Sequence, residues 1–168
     1  MKLIGANGNH IRGVIGKGEF KVFTEVSGEA ENLCLVSIQN VLDIDDLKPF
    51  VHKYKEALCL RFDDVLDGME NSINDDQALR IARFLEKHCD DRILFHCEAG
   101  VSRSAGVALA FEVLVKSGGH KERFSYHNSN IASNVRYMPN MDVFDRVCKF
   151  LKKRNTCLKC GGSNFVRS

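Results

Sequence analysis

Apolar and polar positions alternate along this chain in blocks the size of single secondary-structure elements. Leu33–Ile38 is a continuous apolar run, Ala57–Phe62 predicts another buried strand, and Arg92–His96 predicts the next. Runs of this length fit strands buried on both faces. Asn74–His88 has a helical repeat instead. Ala78, Ile81, Ala82 and Leu85 share one face, and Asp75 and Asp76 suit the positive N-terminal end. Asp45–Tyr54 predicts a short helix with Pro49 near its start. Val101–Lys116 is apolar almost all round except at Glu112, the pattern of a central buried helix, and Gly118-Gly119 ends it. Asp142–Lys153 predicts a last helix with Val143, Val147, Phe150 and Leu151 facing inward. Near the N-terminus, Gly16-Lys17-Gly18 separates Ile11–Ile15 from Phe20–Val26 and predicts a turn between two short strands. The polar stretch Lys121–Asn134 carries no periodic signal.

Strands alternating with helices predict an α/β fold: a single domain whose central, mostly parallel sheet is flanked by helices. Ligands in such folds sit at the carboxyl ends of strands. Cys97 ends one predicted strand, and Asp63 and Asp64 follow another. The topology therefore lets them meet at one edge of the sheet.

Composition narrows the picture further. The chain has 168 residues, enough for one core, and a formal net charge of +2. No bulk field marks a nucleic-acid or membrane partner. No apolar run reaches the ~18 residues of a membrane span, and the N-terminus lacks a signal-peptide core, so the expected location is cytoplasmic. Seven cysteines, at 34, 59, 89, 97, 148, 157 and 160, argue against a disulfide framework. Cys34, Cys59, Cys89 and Cys148 lie in or beside apolar runs, as buried free thiols do. Gly16-Lys17 is not a nucleotide loop, because the full glycine spacing and a following Ser or Thr are absent.

The densest chemistry lies in His96-Cys97-Glu98-Ala99-Gly100-Val101-Ser102-Arg103-Ser104. A strand delivers a cysteine, a short glycine-containing loop follows, and a buried helix begins. Amides in such a loop form an anion-binding nest, the helix N-terminus adds positive potential, and Arg103 offers a planar fork for two oxyanion oxygens. The same features favour Cys97 as a thiolate nucleophile.

This motif resembles the signature of the protein tyrosine phosphatase superfamily, and the match is nearest the small dual-specificity phosphatases. Element order resembles the family from Leu33 to Leu151, and Asn134–Asn140 looks like its later Arg…Pro-Asn stretch. The resemblance implies that Cys97 forms a phosphocysteine, with no metal or cofactor. Arg103 and the loop residues Glu98, Ala99, Gly100, Val101 and Ser102 would bind the phosphoryl oxygens, and Ser104 would stabilise the thiolate. The implied general acid is Asp64, 33 positions before Cys97, with Asp63 and Asp67 as alternatives. Whichever aspartate is not the acid is read as a turn cap. His96 is read as a structural hydrogen-bonding residue. Glu98 departs from the basic loops of phosphoinositide-active relatives and would repel highly anionic substrates.

The expected partner is a phosphorylated protein, bearing phosphotyrosine or also phosphoserine and phosphothreonine. An RNA 5′-phosphatase of the same superfamily is the alternative enzyme, disfavoured by the lack of a basic patch. A rhodanese-type sulfurtransferase would not need Arg103-Ser104. A non-catalytic phosphoprotein-binding module would be expected to lack the cysteine, arginine or acid. The catalytic domain is expected over 1–154. The tail, 155–168, carries Cys157-Leu158-Lys159-Cys160-Gly161, which resembles one zinc-ribbon knuckle.

Overall fold

The computed structural model describes residues 10–154. Four parallel strands, β1 (Ile11–Gly16), β2 (Cys34–Gln39), β3 (Glu56–Arg61) and β4 (Ile93–Cys97), lie in the order β1-β4-β2-β3. The helices are α1 (Lys17–Val26), α2 (Lys48–Val51), α3 (Asp75–Lys87), α4 (Arg103–Ser117) and α5 (Met141–Phe150). Side-chain alternation divides the interior into two layers. Cys34, Val36 and Ile38 of β2 and Phe95 of β4 point into the layer shared with α3, α4 and α5. Leu35 and Leu94 point into the opposite layer with Phe20, Phe23, Leu47 and Tyr54. Burial on both faces is why the central strands read as unbroken apolar runs.

The N-terminal expectation is corrected. Gly16-Lys17-Gly18 is not a turn between strands: β1 runs through Gly16, and α1 begins at Lys17. Phe20, Phe23 and Thr24 recur at helical spacing and are buried, so their burial follows a period of 3.6 rather than 2. Two glycines in a row of alternate positions resemble a hairpin turn locally, but tertiary packing of the phenylalanines decides the outcome.

The helix expected over Asp45–Tyr54 shrinks to the single turn Lys48–Val51, and the strand expected to be buried at Ala57–Phe62 is instead the edge strand β3, in which only Leu60 is buried; α3, α4 and α5 fall close to where the pattern places them. Asn74 caps α3 with a reciprocal bond pair to Gln77, and α4 ends at Gly118 in a left-handed conformation with φ 61°. Cys34 and Cys148 are buried as expected, whereas Cys59 is exposed because β3 is an edge strand.

Residues 121–134 have no periodicity because they form isolated 3-10 turns; Phe124 and Ile131 are buried in the core, and one buried carboxylate holds the stretch in place. Glu112 of α4 accepts from the Ser129 hydroxyl at 2.6 Å, the Asn130 amide at 2.8 Å and the Ile131 amide at 3.1 Å. Lys116 adds an ion pair at 2.8 Å. Replacing Glu112 with Ala leaves those donors without their acceptor, and we expect a loss of about 3 kcal/mol. Urea unfolding measures it, and a change under about 1 kcal/mol would contradict the anchoring role.

Candidate active site

β4 ends at Cys97, and α4 begins six residues later at Arg103. The chain between them is turned so that its carbonyls face outward. Glu98 O accepts from the Lys17 amide at 3.0 Å, Val101 O from Met138 N at 3.0 Å, and Ser102 O from both Gly106 N at 2.8 Å and Asn140 N at 3.0 Å. None of the amides of residues 98–102 donates to a backbone or side-chain group among the described residues. Amides left free in this way make a concave positive site for an anion.

Glycine is required at the centre of this loop. Gly100 has φ 70°, and a Cβ there would stand 2.2 Å from Ile15 C and 2.3 Å from Gly16 N. From the other side, a Cβ on Gly16 would meet Glu98 O at 3.0 Å. The end of β1 and the loop thus touch backbone to backbone.

Cys97 is buried, and its Sγ lies 3.0 Å from the Ser104 hydroxyl. Arg103 is buried at 3% exposure; its Nη1 donates to Phe62 O at 2.7 Å, while its buried Nε has no partner. The bond to Phe62 joins the loop to the segment after β3, the same segment that carries the candidate acids.

The three aspartates have separate placements. Asp64 Oδ1 accepts from the Ser102 hydroxyl at 2.8 Å and from Asn140 Nδ2 at 2.9 Å, so this carboxyl sits at the rim of the cysteine loop. Asp63 Oδ1 instead accepts from Val41 N at 3.0 Å, which is the turn-capping role. Asp67 is tied to α5 by an ion pair with Arg146 and by a hydrogen bond its backbone amide donates to Asp142 Oδ2 at 3.0 Å. Only Asp64 is coupled to the loop by these contacts.

Asn140 is the residue whose part sequence reasoning left undefined. Its Oδ1 caps α5 by accepting from the amides of Asp142 and Val143, while Nδ2 holds Asp64. Its signal was the Pro139-Asn140 pair ahead of a helix. The same stretch braces the loop through Met138, and Tyr137 donates to Val14 O at 3.3 Å.

Glu98 is paired with Lys17 at 3.0 Å, and Lys17 also meets Asp43 at 3.0 Å and Asp45 at 2.8 Å. Asp45 leads the groups that raise the Lys17 pKa, partly opposed by burial. Lys21 adds a second ammonium 3.6 Å from Asp45, so three carboxylates against two ammoniums leave this flank of the loop with one net negative charge. Opposite it, Leu66, Met69, Met138 and Met141 line an open groove that reaches Asp64 and Ser102.

His96 is structural in its contacts. It is fully buried, stacked on Phe20 at 4.1 Å, and its Nε2 lies 2.6 Å from the Ser37 hydroxyl. Its Nδ1 faces the Cys97 carbonyl at 3.5 Å, which places the proton on Nδ1 and makes Ser37 a donor to Nε2. The other cysteines differ from a nucleophile's environment: burial pushes the Cys34 thiol up to about 11 and that of Cys148 to about 12.

No protein-family model matches the chain. Human dual specificity protein phosphatase 4 is 36% identical over 62 residues, which is 35% of this chain and 16% of the relative's length. The rat and mouse forms match equally. The phosphatase PTP-2 of Cydia pomonella superposes with a TM-score of 0.55 at 16% identity, covering 85% of this chain and 86% of that one. The human tyrosine phosphatase-like serine/threonine/tyrosine-interacting protein gives 0.55 at 16% identity, covering 81% and 84%.

The fold is that of the dual-specificity phosphatases.

In this phosphatase fold the loop 98–103 lies at the carboxyl end of the sheet, where the arrangement of strands places ligands. Among the described residues no helix is long and apolar enough to cross a membrane. Cys157, Cys160 and the expected boundary after 154 lie at or outside the limit of the described residues.

His96 yields a pH prediction. Burial lowers its pKa to about 4, whereas an unfolded histidine titrates near 6.5. Between these values the unfolded chain binds the extra proton. Stability is therefore fully present above about pH 6.5 and falls as pH drops toward 4, by about 3 kcal/mol at most. His96→Asn removes that titration, and chemical unfolding from pH 7 to 4 should show a shallower decline for the variant. Equal slopes would show that His96 does not carry the effect.

Proposed function

We propose that this chain is a cysteine-dependent phosphatase that hydrolyses protein phosphotyrosine, and also phosphoserine or phosphothreonine, through a phosphocysteine intermediate. The carrying observation is the loop with outward carbonyls and free amides over Cys97, completed by the buried, unpartnered Arg103 Nε. An oxyanion supplies the acceptor that these donors otherwise lack.

In this reading the Cys97 thiolate attacks phosphorus, and the bond to the leaving oxygen breaks. The amides and Arg103 hold the equatorial oxygens as charge redistributes. Both bonds to Asp64 end on Oδ1, which leaves Oδ2 to carry the proton delivered to the leaving oxygen. The resulting Asp64 carboxylate then takes a proton from water, which attacks the phosphocysteine and expels Cys97. The Ser104 hydroxyl, 3.0 Å away, donates to the sulfur in its thiolate form.

Two features support a phosphoprotein over a polyanionic lipid or RNA. The Asp43–Asp45–Glu98 flank disfavours further negative charge beyond the reacting phosphate. The apolar groove beside Asp64 offers contact to a ring or an adjacent apolar side chain.

Hydrolysis of para-nitrophenyl phosphate without added metal should be vanadate-sensitive and vanish in Cys97→Ser. Metal-dependent activity that survives the substitution would sink the mechanism. Asp64→Ala should lower kcat by about 10²-fold or more. Asp63→Ala should act mainly on stability through the lost bond to Val41. The reverse order would transfer the acid role to Asp63.

A further inference from the structure

At the opposite end of the sheet from Cys97, three potential metal ligands converge. Cys34 opens β2, His88 closes α3, and Asp91 lies in the turn before β4. Their ligand atoms lie within 4.8 Å of one another. Cys34 Sγ is 3.3 Å from His88 Nδ1 and 3.9 Å from Asp91 Oδ2, and Nδ1 is 2.7 Å from Oδ2. A tetrahedral zinc site with these donor types has ligand separations of about 3.3–3.6 Å. The imidazole and carboxylate need to part by about half an ångström to reach it.

The surroundings of the three groups match a prepared second layer. Lys55 takes the other Asp91 oxygen, Oδ1, at 2.7 Å, which leaves Oδ2 for a cation. Glu56 Oε2 lies 3.0 Å from His88 Nε2, close enough for an ion pair but off the line of a hydrogen bond. As the chain stands, the sulfur and the carboxylate both converge on Nδ1, while the buried Nε2 has no hydrogen-bond partner. A cation between the three resolves this. Nδ1 turns its lone pair to the metal, and the ring proton moves to Nε2, which faces the Glu56 carboxylate 3.0 Å away. Such carboxylate–imidazole–metal relays are usual around bound zinc.

We propose that Cys34, His88 and Asp91 form a zinc site that pins the starts of β2 and β4 to the end of α3. Cys34 releases its thiol proton on binding. Thiolate, carboxylate and Zn²⁺ then sum to zero charge, so the buried site leaves no uncompensated charge. Asp91 is part-exposed and gives the ion its entry side, where water takes the fourth position. The site is independent of the phosphatase reading.

The test uses the full chain carrying Cys97→Ser, Cys157→Ser and Cys160→Ser, so that neither the nucleophile nor the tail pair captures metal. Competition against a chromophoric chelator should show about one zinc per chain. Asp91→Asn should weaken binding about tenfold or more. With cobalt in place of zinc, a thiolate charge-transfer band should appear and be lost in Cys34→Ala. Circular dichroism without metal checks that each variant folds, and Asp91→Asn decides the matter if Cys34→Ala does not. Absence of stoichiometric zinc, or equal affinity in the parent and Asp91→Asn, overturns the site.

Discussion

The end of β1 lies against the backbone of the cysteine loop with no room for a side chain between them. Gly100 makes this possible with its positive φ, and Gly16 leaves space for the Glu98 and Ala99 carbonyls. Much else at the site follows from that contact. With Gly16 against the loop, Lys17 is placed so that its amide caps Glu98 O and its ammonium reaches the Glu98 carboxylate. The loop's carbonyls are engaged from outside by the first amide of α1, by the stretch before α5 and by α4 itself, and its amides are left for an anion.

A loop held in this way needs a firm support, because free amides gain nothing from the rest of the fold. The supports come from distant segments. Arg103 reaches back to Phe62 after β3, Met138 and Asn140 hold Val101 and Ser102, and His96 is fixed between Phe20 and Ser37. The cost of unsatisfied donors is thereby concentrated where a ligand can relieve it. Asn140 shows the economy of the arrangement, since one side chain caps α5 and holds Asp64.

Electrostatics divide the site into unlike halves. Beneath the loop, a helix N-terminus and a buried guanidinium favour an oxyanion. At its Lys17 flank, three carboxylates outnumber the ammoniums of Lys17 and Lys21, and at the Asp64 side an apolar groove opens. The proposed preference for a phosphate on a protein side chain rests on this contrast, since free amides by themselves do not discriminate one phosphomonoester from another.

Sequence alone determined the elements whose signal is local. The central strands β2 and β4, the capped α3, the nearly all-apolar α4 and the loop from Cys97 to Ser104 each carry their pattern within about fifteen residues, and all were legible; β3 was legible as a strand but not as an edge strand. So was the expected role of Glu112 as an exception, although not what it holds. Tertiary structure decided the rest. Residues 17–26 contain strand-like and turn-like signals, and packing of Phe20 and Phe23 on β2 and β4 made them a helix. Asp63 and Asp64 are neighbours with the same chemistry. The partner each meets, Val41 in one case and Ser102 with Asn140 in the other, comes from segments 22 to 76 positions away, so no local pattern could separate them. The gathering of Cys34, His88 and Asp91 was hidden for the same reason: side chains spread over 57 positions meet only when parallel strands bring their starting ends together.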